Sequence, residues 1–378
     1  MIERGQLLIM NVAVIFGGMS CEHDISIITG MQVLHTLLAK HNTIPIYIDQ
    51  EGVWWTGKRY YDIDNYQDKS SLGGRKVYLK PGDTNLYYKR SKVQCNVDIA
   101  VLCCHGVNGE DGTLQGLLQL SHIPYSGSGV LASAIGMDKS RTKAIFNNSG
   151  LAILPYVTVD RQLIELGQSQ VLQHIQDQLQ YPLIVKPCNL GSSIGISVAH
   201  DSTQLLKSIA VALEWDNSVI VEHALVDFDE LNCAVLGGKG YDILCSELEQ
   251  PKVSKDYLTY DDKYQSRSKC NSRNIPAKVS QEIKQQVHSM SRVAFESLGC
   301  SGVARCDFLL KDGVVYINEI NTIPGSLSNY LFEYSGIKFG TLLEKLIYVA
   351  QAEFDSRYSI KYAYDSQVLH NIAKVSKS

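Results

Sequence analysis

The sequence has no apolar run near the ~18 residues that a membrane-spanning helix needs, so no membrane span is expected. It has no excess of basic charge. Thirty-five Lys and Arg against 39 Asp and Glu give a formal net charge of −4, so there is no electrostatic reason to expect a nucleic-acid partner. Its ten cysteines include no Cys-x-x-Cys pair and no zinc-finger spacing, which argues against structural zinc and a dithiol redox motif. Cys103 and Cys104, adjacent in an apolar run, read as reduced, buried thiols of a cytosolic protein. The opening residues Met1-Ile-Glu-Arg-Gly-Gln lack the charged region, apolar core and cleavage site of a secretory signal, so a cytoplasmic location is expected. There is also no internal repeat, no low-complexity tract, no Gly-x-Gly-x-x-Gly fingerprint and no Walker loop.

What remains is a globular chain. With 378 residues, 45% hydrophobic and 20% charged, it is long enough for two or three domains. The first ~125 residues read as α/β: a strand at Val12–Phe16, a Gly17-Gly18 turn, a periodic helix at 25–38 and a strand at 43–48. Residues 51–94 read as irregular or as an inserted hairpin, and a buried strand at 97–104 leads to His105. A second unit starts near Ser126-Gly-Ser-Gly129, with Asp138 as a helix cap. Strands at 182–186 and 196–199 flank a Gly/Ser loop, followed by a helix at 203–214 and a strand at 219–222. A third unit holds strands at 231–236 and 243–248, then a helix at 280–298 stopped by Gly299, and a last helix at 342–352. Residues from Asp355 onward read as a polar, Tyr-rich tail.

The most informative stretch is Arg305-Cys-Asp-Phe-Leu-Leu-Lys-Asp-Gly-Val-Val-Tyr-Ile-Asn-Glu-Ile-Asn-Thr-Ile-Pro-Gly325. It reads as a hairpin around Lys311-Asp312-Gly313. With a three-residue loop, Leu310 pairs with Val314 and Asp307 falls opposite Ile317. Alternation then puts Ile317, Glu319 and Asn321 on one face, with Asp307 diagonal to Glu319. A two-residue loop would put Asp307 on the other face. Three oxygen donors beside Arg305 suit Mg²⁺, which is commonly held by one or two carboxylates and substrate phosphates. Lys186-Pro-Cys-Asn-Leu-Gly-Ser-Ser-Ile-Gly195 is the second such motif. Its glycines let backbone N–H groups approach an anion, and its hydroxyls add donors. Standing alone, it would be an ordinary Gly-rich connection. Gly17-Gly-Met-Ser-Cys-Glu22-His-Asp-Ile-Ser26 joins a strand to a helix N-terminus, which favours anions.

Asn318-Glu319-Ile320-Asn321-Thr322-Ile323-Pro324-Gly325 resembles the metal motif of the D-alanine–D-alanine ligases, members of the ATP-grasp superfamily. The resemblance runs from roughly residue 11 to 350, with further motifs in family order. It implies a three-domain ATP-grasp α/β fold: a Rossmann-like N-terminal domain at 1–127 for the first amino acid, a central subdomain at 128–221, and a C-terminal subdomain at 222–378. Nucleotide would lie between the last two. It also implies a homodimer, ATP as substrate, and Mg²⁺ or Mn²⁺ on Asp307, Glu319 and Asn321.

Residue by residue, Lys139 and Lys186 match the family's nucleotide-binding lysines, and Ser193 lies in the phosphate loop. Glu222 and Glu230 match the acids at the adenine amine and the ribose hydroxyls. Glu22 matches the residue that holds the first D-alanine's ammonium, and His105 the family histidine beside that substrate. Lys263 and Tyr264 match the Lys-Tyr pair of a closing loop, whose tyrosine bonds the serine matching Ser192. Arg305 and the Gly325 N–H are candidates for the oxyanion. One departure stands out. Where the family has a serine for the second substrate's carboxylate, this chain has Tyr330, with Ser328 nearby. The expected activity is ATP-dependent joining of two D-alanines for peptidoglycan. The alternative is the same chemistry on a different acceptor, such as D-serine, D-lactate or a specialised amino acid. Tyr264 argues against D-lactate.

Overall fold

The computed structural model describes residues 9–67, 73–251, 273–366 and 368–369. Strand β1 (Asn11–Gly17) is buried along almost its whole length and runs parallel to β2 (Asn42–Ile48) and to β8 (Ile99–Leu102). Continuous apolar runs of this kind suit a sheet covered on both faces. Helix α1 (His23–Leu37) covers one face. The stretch expected to be irregular or an inserted hairpin holds five short strands among its described residues. Strands β3 (Trp54–Thr56) and β4 (Arg75–Lys76) extend the sheet antiparallel from β2. Strands β5 (Tyr78–Lys80), β6 (Asp83–Tyr88) and β7 (Lys92–Asn96) form a separate three-stranded sheet of antiparallel hairpins. Their short length and register shifts hide the period-2 signal that marks longer strands.

Helix α2 (Thr113–Leu120) leads to α3 (Val130–Met137) and α4 (Lys139–Asn148). The Asp138 side chain caps α4, accepting from the Ser140 and Arg141 N–H groups, as its position suggested. A second sheet is wholly antiparallel: β11 (Ser197–Ala199), β10 (Leu183–Pro187), β12 (Ser218–His223) and β9 (Tyr156–Asp160), in that order. Helices α5 (Arg161–Gln176) and α6 (Ser202–Leu213) pack against it. Neither β9 nor α5 was anticipated.

The third sheet is also antiparallel: β15 (Arg273–Asn274), β14 (Tyr241–Pro251), β13 (Asp229–Gly238), β16 (Gly302–Lys311) and β17 (Val314–Asn321). Side-chain alternation divides it between two cores. Ala234, Leu236 and Val303 join the core of the first sheet. Cys233, Val235, Ala304, Cys306 and Phe308 face helix α7 (Gln281–Ser297). Ser280 caps α7 through the Ile283 N–H, and Gly299 with φ +68° follows its end. After α8 (Asn329–Tyr334), helix α9 spans Phe339–Tyr358, longer than its apolar centre indicated. So the first residues of the expected tail continue this helix. The Tyr358 hydroxyl donates to the Gln119 carbonyl at 3.0 Å. Leu342, Leu343 and Leu346 of α9 complete the core of the first sheet, so this helix packs back onto the first unit.

Among the described residues no helix is long and apolar enough to cross a membrane. Nine cysteines among them are free thiols, six of them buried.

Candidate active site

The β16–β17 hairpin turns on two residues, not three. Lys311 pairs with Val314, Leu310 with Val315 and Phe308 with Ile317. Carried through, that register would point Asp307 away from Glu319. A register shift restores it: Asn318 is extra, and beyond it Asp307 stands directly opposite Glu319 and Arg305 opposite Asn321. A bulge inserts one residue and re-aims the side chains beyond it. Ile317 therefore lies in the core with Val315 and Ile320, not on the face of Glu319. The expected donor set is assembled by a different route.

Directly opposed carboxylates sit about 4.5–5.5 Å apart at Cβ and repel. Arg305 relieves part of this. Its Nε and Nη2 donate to the two Asp307 oxygens at 2.6 and 2.7 Å, and Asn321 Nδ2 donates to Asp307 Oδ2 at 3.1 Å. The Asn321 amide oxygen then points away from Asp307. The donor types, two facing carboxylates and an amide, are those a hard divalent cation takes, and to join them the Asn321 amide would turn its oxygen toward Asp307 in place of its NH₂. Among the described residues no cluster of three His, Cys, Asp or Glu offers a different metal site.

Next to this face lies a cleft lined by Lys139, Lys186, Ser192, Ser193, Glu230 and Glu319. Helix α4, strands β10, β13 and β17 and the Gly/Ser loop thus bring together six expected residues. Ile184, Ile196 and Leu309 give the cleft apolar walls. Lys139 Nζ donates to the Leu190 carbonyl of the Gly/Ser loop at 2.6 Å. Ser192 and Ser193 hold φ of 54° and 58°, a left-handed backbone that non-glycine residues rarely adopt.

Glu222 is placed differently from expectation. It has no exposed surface and lies between Lys143 Nζ at 2.8 Å and Lys186 Nζ at 2.6 Å. Burial alone would raise its carboxyl, but the two cations outweigh it and hold it at about 2. Its carboxylate is a counter-ion with no surface left for an adenine amine. Lys143 was missed. It follows Lys139 by one helical turn, the only sequence signal available. Asn318, the bulge residue, was missed too, and its Oδ1 accepts from Lys186 Nζ at 3.3 Å.

On the other side of the Gly/Ser loop, Glu22 stands at the start of α1. Ser192 Oγ donates to Glu22 Oε1. Gly106, at φ +75°, closes around this carboxylate. A Cβ there would come within 2.9 Å of Glu22 Oε2 and 2.5 Å of Ser20 Oγ, so only glycine fits. His105 is buried, with Nε2 2.8 Å from Thr29 Oγ1 and Nδ1 2.7 Å from the Ile323 carbonyl. Both ring nitrogens are committed to protein, so His105 positions the 321–325 segment and does not present a nitrogen to substrate.

Glu110, overlooked in the sequence, does the same from the other side. Its Oε1 accepts the Ile323 N–H at 2.9 Å and its Oε2 the Gly106 N–H at 2.8 Å. Burial first, and then the Glu22 charge, push its carboxyl up to about 8 against these donors. Both polar groups of the Ile323 peptide are thus held by the first α/β unit, two residues before Gly325.

The chain after Gly325 is strained. Ser326, Leu327 and Ser328 have φ of 51°, 50° and 49°, a left-handed turn without glycine. Such a turn costs about 1–2 kcal/mol per residue. Thr29 Oγ1 accepts the Ser326 N–H at 3.0 Å, and Leu327 is buried in the core. The turn leaves Ser328 fully buried with a hydroxyl that has no hydrogen-bond partner among the described residues. Tyr330 is committed elsewhere. Its hydroxyl donates to Glu249 Oε2 at 2.8 Å, and the Arg273 guanidinium lies 4.8 Å over its ring. Lys263 and Tyr264 lie outside the described residues.

Two family models match this chain: the D-Ala–D-Ala ligase N-terminus over residues 11–128 and the D-Ala–D-Ala ligase C-terminus over 145–348. The D-alanine–D-alanine ligase of Thermosipho africanus is 38% identical over 95% of this chain and 98% of its own. The chain belongs to the D-alanine–D-alanine ligase family. The solved D-alanine–D-alanine ligase of Coxiella burnetii superposes with a TM-score of 0.79 at 26% identity, covering 98% of this chain and 99% of that one. The VanG D-Ala:D-Ser ligase of Enterococcus faecalis gives 0.78 at 29% identity, covering 90% and 99%. The mixed first sheet and the two antiparallel sheets are thus the ATP-grasp arrangement of this ligase family.

Proposed function

We propose that this protein joins two D-alanines at the cost of one ATP, giving D-alanyl-D-alanine, ADP and phosphate for peptidoglycan. The observation that carries this is the Ser192–Glu22 hydrogen bond. It ties a carboxylate suited to an amino acid's ammonium to a loop suited to phosphate, as transfer of phosphate onto that amino acid's carboxylate requires.

A free carboxylate is a poor electrophile because its leaving oxygen is basic. In the first step a carboxylate oxygen of the first D-alanine attacks the γ-phosphorus and ADP leaves. In the second, the amine of the second D-alanine attacks the acyl carbon. The tetrahedral intermediate then expels phosphate as the attacking nitrogen loses its proton. The protein contributes mainly position and charge. Glu22 takes the first ammonium. Lys139 and Lys186 face the phosphates, with Ser192 and Ser193 donating from the loop. Glu230 takes the ribose. Asp307, Glu319 and Asn321 would hold Mg²⁺ or Mn²⁺, which when bound supplies neutralisation of phosphate charge. Arg305 and the Gly325 N–H stabilise the oxyanion.

For the second carboxylate we favour Ser328 over Tyr330, because the Ser328 hydroxyl is buried and unpartnered while the Tyr330 hydroxyl serves Glu249. Closure by Lys263 and Tyr264, a homodimer and a cytoplasmic location belong to the same proposal. D-Alanine labelled with ¹⁸O in its carboxylate tests the chemistry: one label must appear in the released phosphate. Unlabelled phosphate would exclude an acyl phosphate.

A further inference from the structure

Between the Pro124–Gly129 segment and α9 lies a cavity of about 200 Å³ that the ligase reaction does not use. Tyr125, Gly127, Ser301, Glu353, Phe354 and Arg357 line it. Three of these carry polar capacity that the protein does not fill. The Arg357 guanidinium lies 5.4 Å over the Tyr125 ring and donates once, to the Tyr125 hydroxyl at 3.4 Å. A guanidinium has five N–H donors, and among the described residues Arg357 meets no carboxylate. Glu353 sits one turn earlier on α9, at the spacing where Glu and Arg pair on a helix. The pair is not made. Glu353 Oε1 accepts the Lys239 N–H at 2.8 Å, and Oε2 has no donor among the described residues. Ser301 is 6% exposed and its hydroxyl has no partner among the described residues.

A half-buried cation that meets no carboxylate among the described residues, a half-buried carboxylate with one open oxygen and a buried hydroxyl line one cavity, a lining that suits a ligand carrying both charges. We propose that this cavity is a binding site for a small α-amino acid, separate from the two substrate sites. Its carboxylate meets Arg357 and Ser301, and its ammonium meets Glu353. The size agrees. Drug-sized ligands take about 300–1,000 Å³, and a water's share of the liquid is about 30 Å³. A cavity between these limits admits an amino acid and excludes a nucleotide.

The position links the cavity to the catalytic segment. Gly302 crosses Gly127 so closely that a Cβ at 302 would lie 2.8 Å from the Gly127 Cα. On its far side Gly127 approaches the Thr322 carbonyl, 4.0 Å from where a Cβ would stand. One strand of backbone separates the occupant from residues 321–325.

The inference goes beyond the ligase reading and uses it only to choose probes. The full chain is first saturated with ATP and a phosphinate analogue of the reaction intermediate. D-Alanine titrated into this complex by calorimetry should still bind. Arg357→Gln should weaken that binding about ten- to hundredfold, the effect of losing a charge-assisted hydrogen bond, and Glu353→Gln should also weaken it. D-Alaninamide and propionate, each lacking one charge, should bind about tenfold more weakly than D-alanine. Ligase turnover of both variants should stay at the unsubstituted level. Should Arg357→Gln fail to fold, Ser301→Ala, which removes only the orphaned hydroxyl, should lower affinity severalfold. Absent D-alanine binding to the blocked enzyme, binding indifferent to these substitutions, or propionate binding as tightly as D-alanine would each overturn the proposal. If the blocking analogue itself does not bind, the ligase reading falls instead, and the dependence of D-alanine binding on Arg357 still decides the cavity.

Discussion

Replacing Lys143 by methionine removes one of the two cations that flank the buried Glu222 carboxylate. The stake can be worked from the geometry. Lys143 and Lys186 lie 2.8 and 2.6 Å from Glu222, and all three side chains are at most 8% exposed. Together they bring the Glu222 carboxyl from 4.5 to about 2. At 1.36 kcal/mol per tenfold change, that is about 3 kcal/mol of stability at neutral pH from the carboxyl alone. Burial also pushes the Lys143 ammonium down, which offsets part of this gain at neutral pH. The sign follows from proton binding. The folded Glu222 value lies below the unfolded one, so the unfolded chain binds the proton first. The contribution is therefore complete above the unfolded value and is lost as pH falls toward about 2. Without Lys143, burial raises the carboxyl and Lys186 alone opposes it. Breaking a buried ion pair costs about 3–5 kcal/mol, and the remaining lysine places Lys143→Met near the lower end. Urea unfolding at pH 7 should show a loss of about 3 kcal/mol that narrows as the pH is lowered below about 5. Adding Glu222→Gln should recover part of it, because the stranded charge is gone. A loss under about 0.5 kcal/mol, or one that does not narrow with acid, would refute the reasoning.

Glu319→Ala should abolish ligation while leaving the unfolding transition in place, since Glu319 is only half-buried; ATP binding should persist without its Mg²⁺ dependence, and an active variant would remove Glu319 from the metal site. Glu110→Ala leaves the Gly106 and Ile323 N–H groups without their acceptor, and an unsatisfied buried donor costs about 1–3 kcal/mol. Steady-state kinetics should show this as a lower kcat with the ATP KM unchanged, and a fall under about twofold would make Glu110 dispensable to catalysis. Ser328→Ala should raise the second-site D-alanine KM more than Tyr330→Phe does, and the reverse order would return the carboxylate to Tyr330.

The elements read most securely from sequence were those with long, uniform patterns. β1, α1 and α7 follow from apolar runs and helical periodicity, and α4 and α7 start at the caps that Asp138 and Ser280 provide. Short strands such as β3 to β7 carry too few alternations to be placed one by one, so the tyrosine-rich stretch that holds them reads only as irregular or as an inserted hairpin. The hairpin at Asp307 shows a subtler limit. Asp307, Glu319 and Asn321 do share a face, but the expected pairings of Leu310 with Val314 and Asp307 with Ile317 do not hold: the turn is a residue shorter and a bulge at Asn318 compensates, which no local pattern distinguishes from a longer turn. Lys139 and Lys143 lie on one helix face, and only the tertiary position of Glu222 separates their roles. The left-handed turn at 326–328 contains no glycine, so nothing in its composition announces it. Tertiary contacts to Thr29 and to the core hold it.

The most direct test of the central claim is phosphate release and dipeptide formation with purified protein, ATP, Mg²⁺ and D-alanine as the sole amino acid. One ADP, one phosphate and one D-alanyl-D-alanine should appear in equal amounts, and D-serine or D-lactate added as a competitor should not be needed for turnover. No ATP consumption with D-alanine alone, together with turnover when D-serine or another acceptor is supplied, would contradict it.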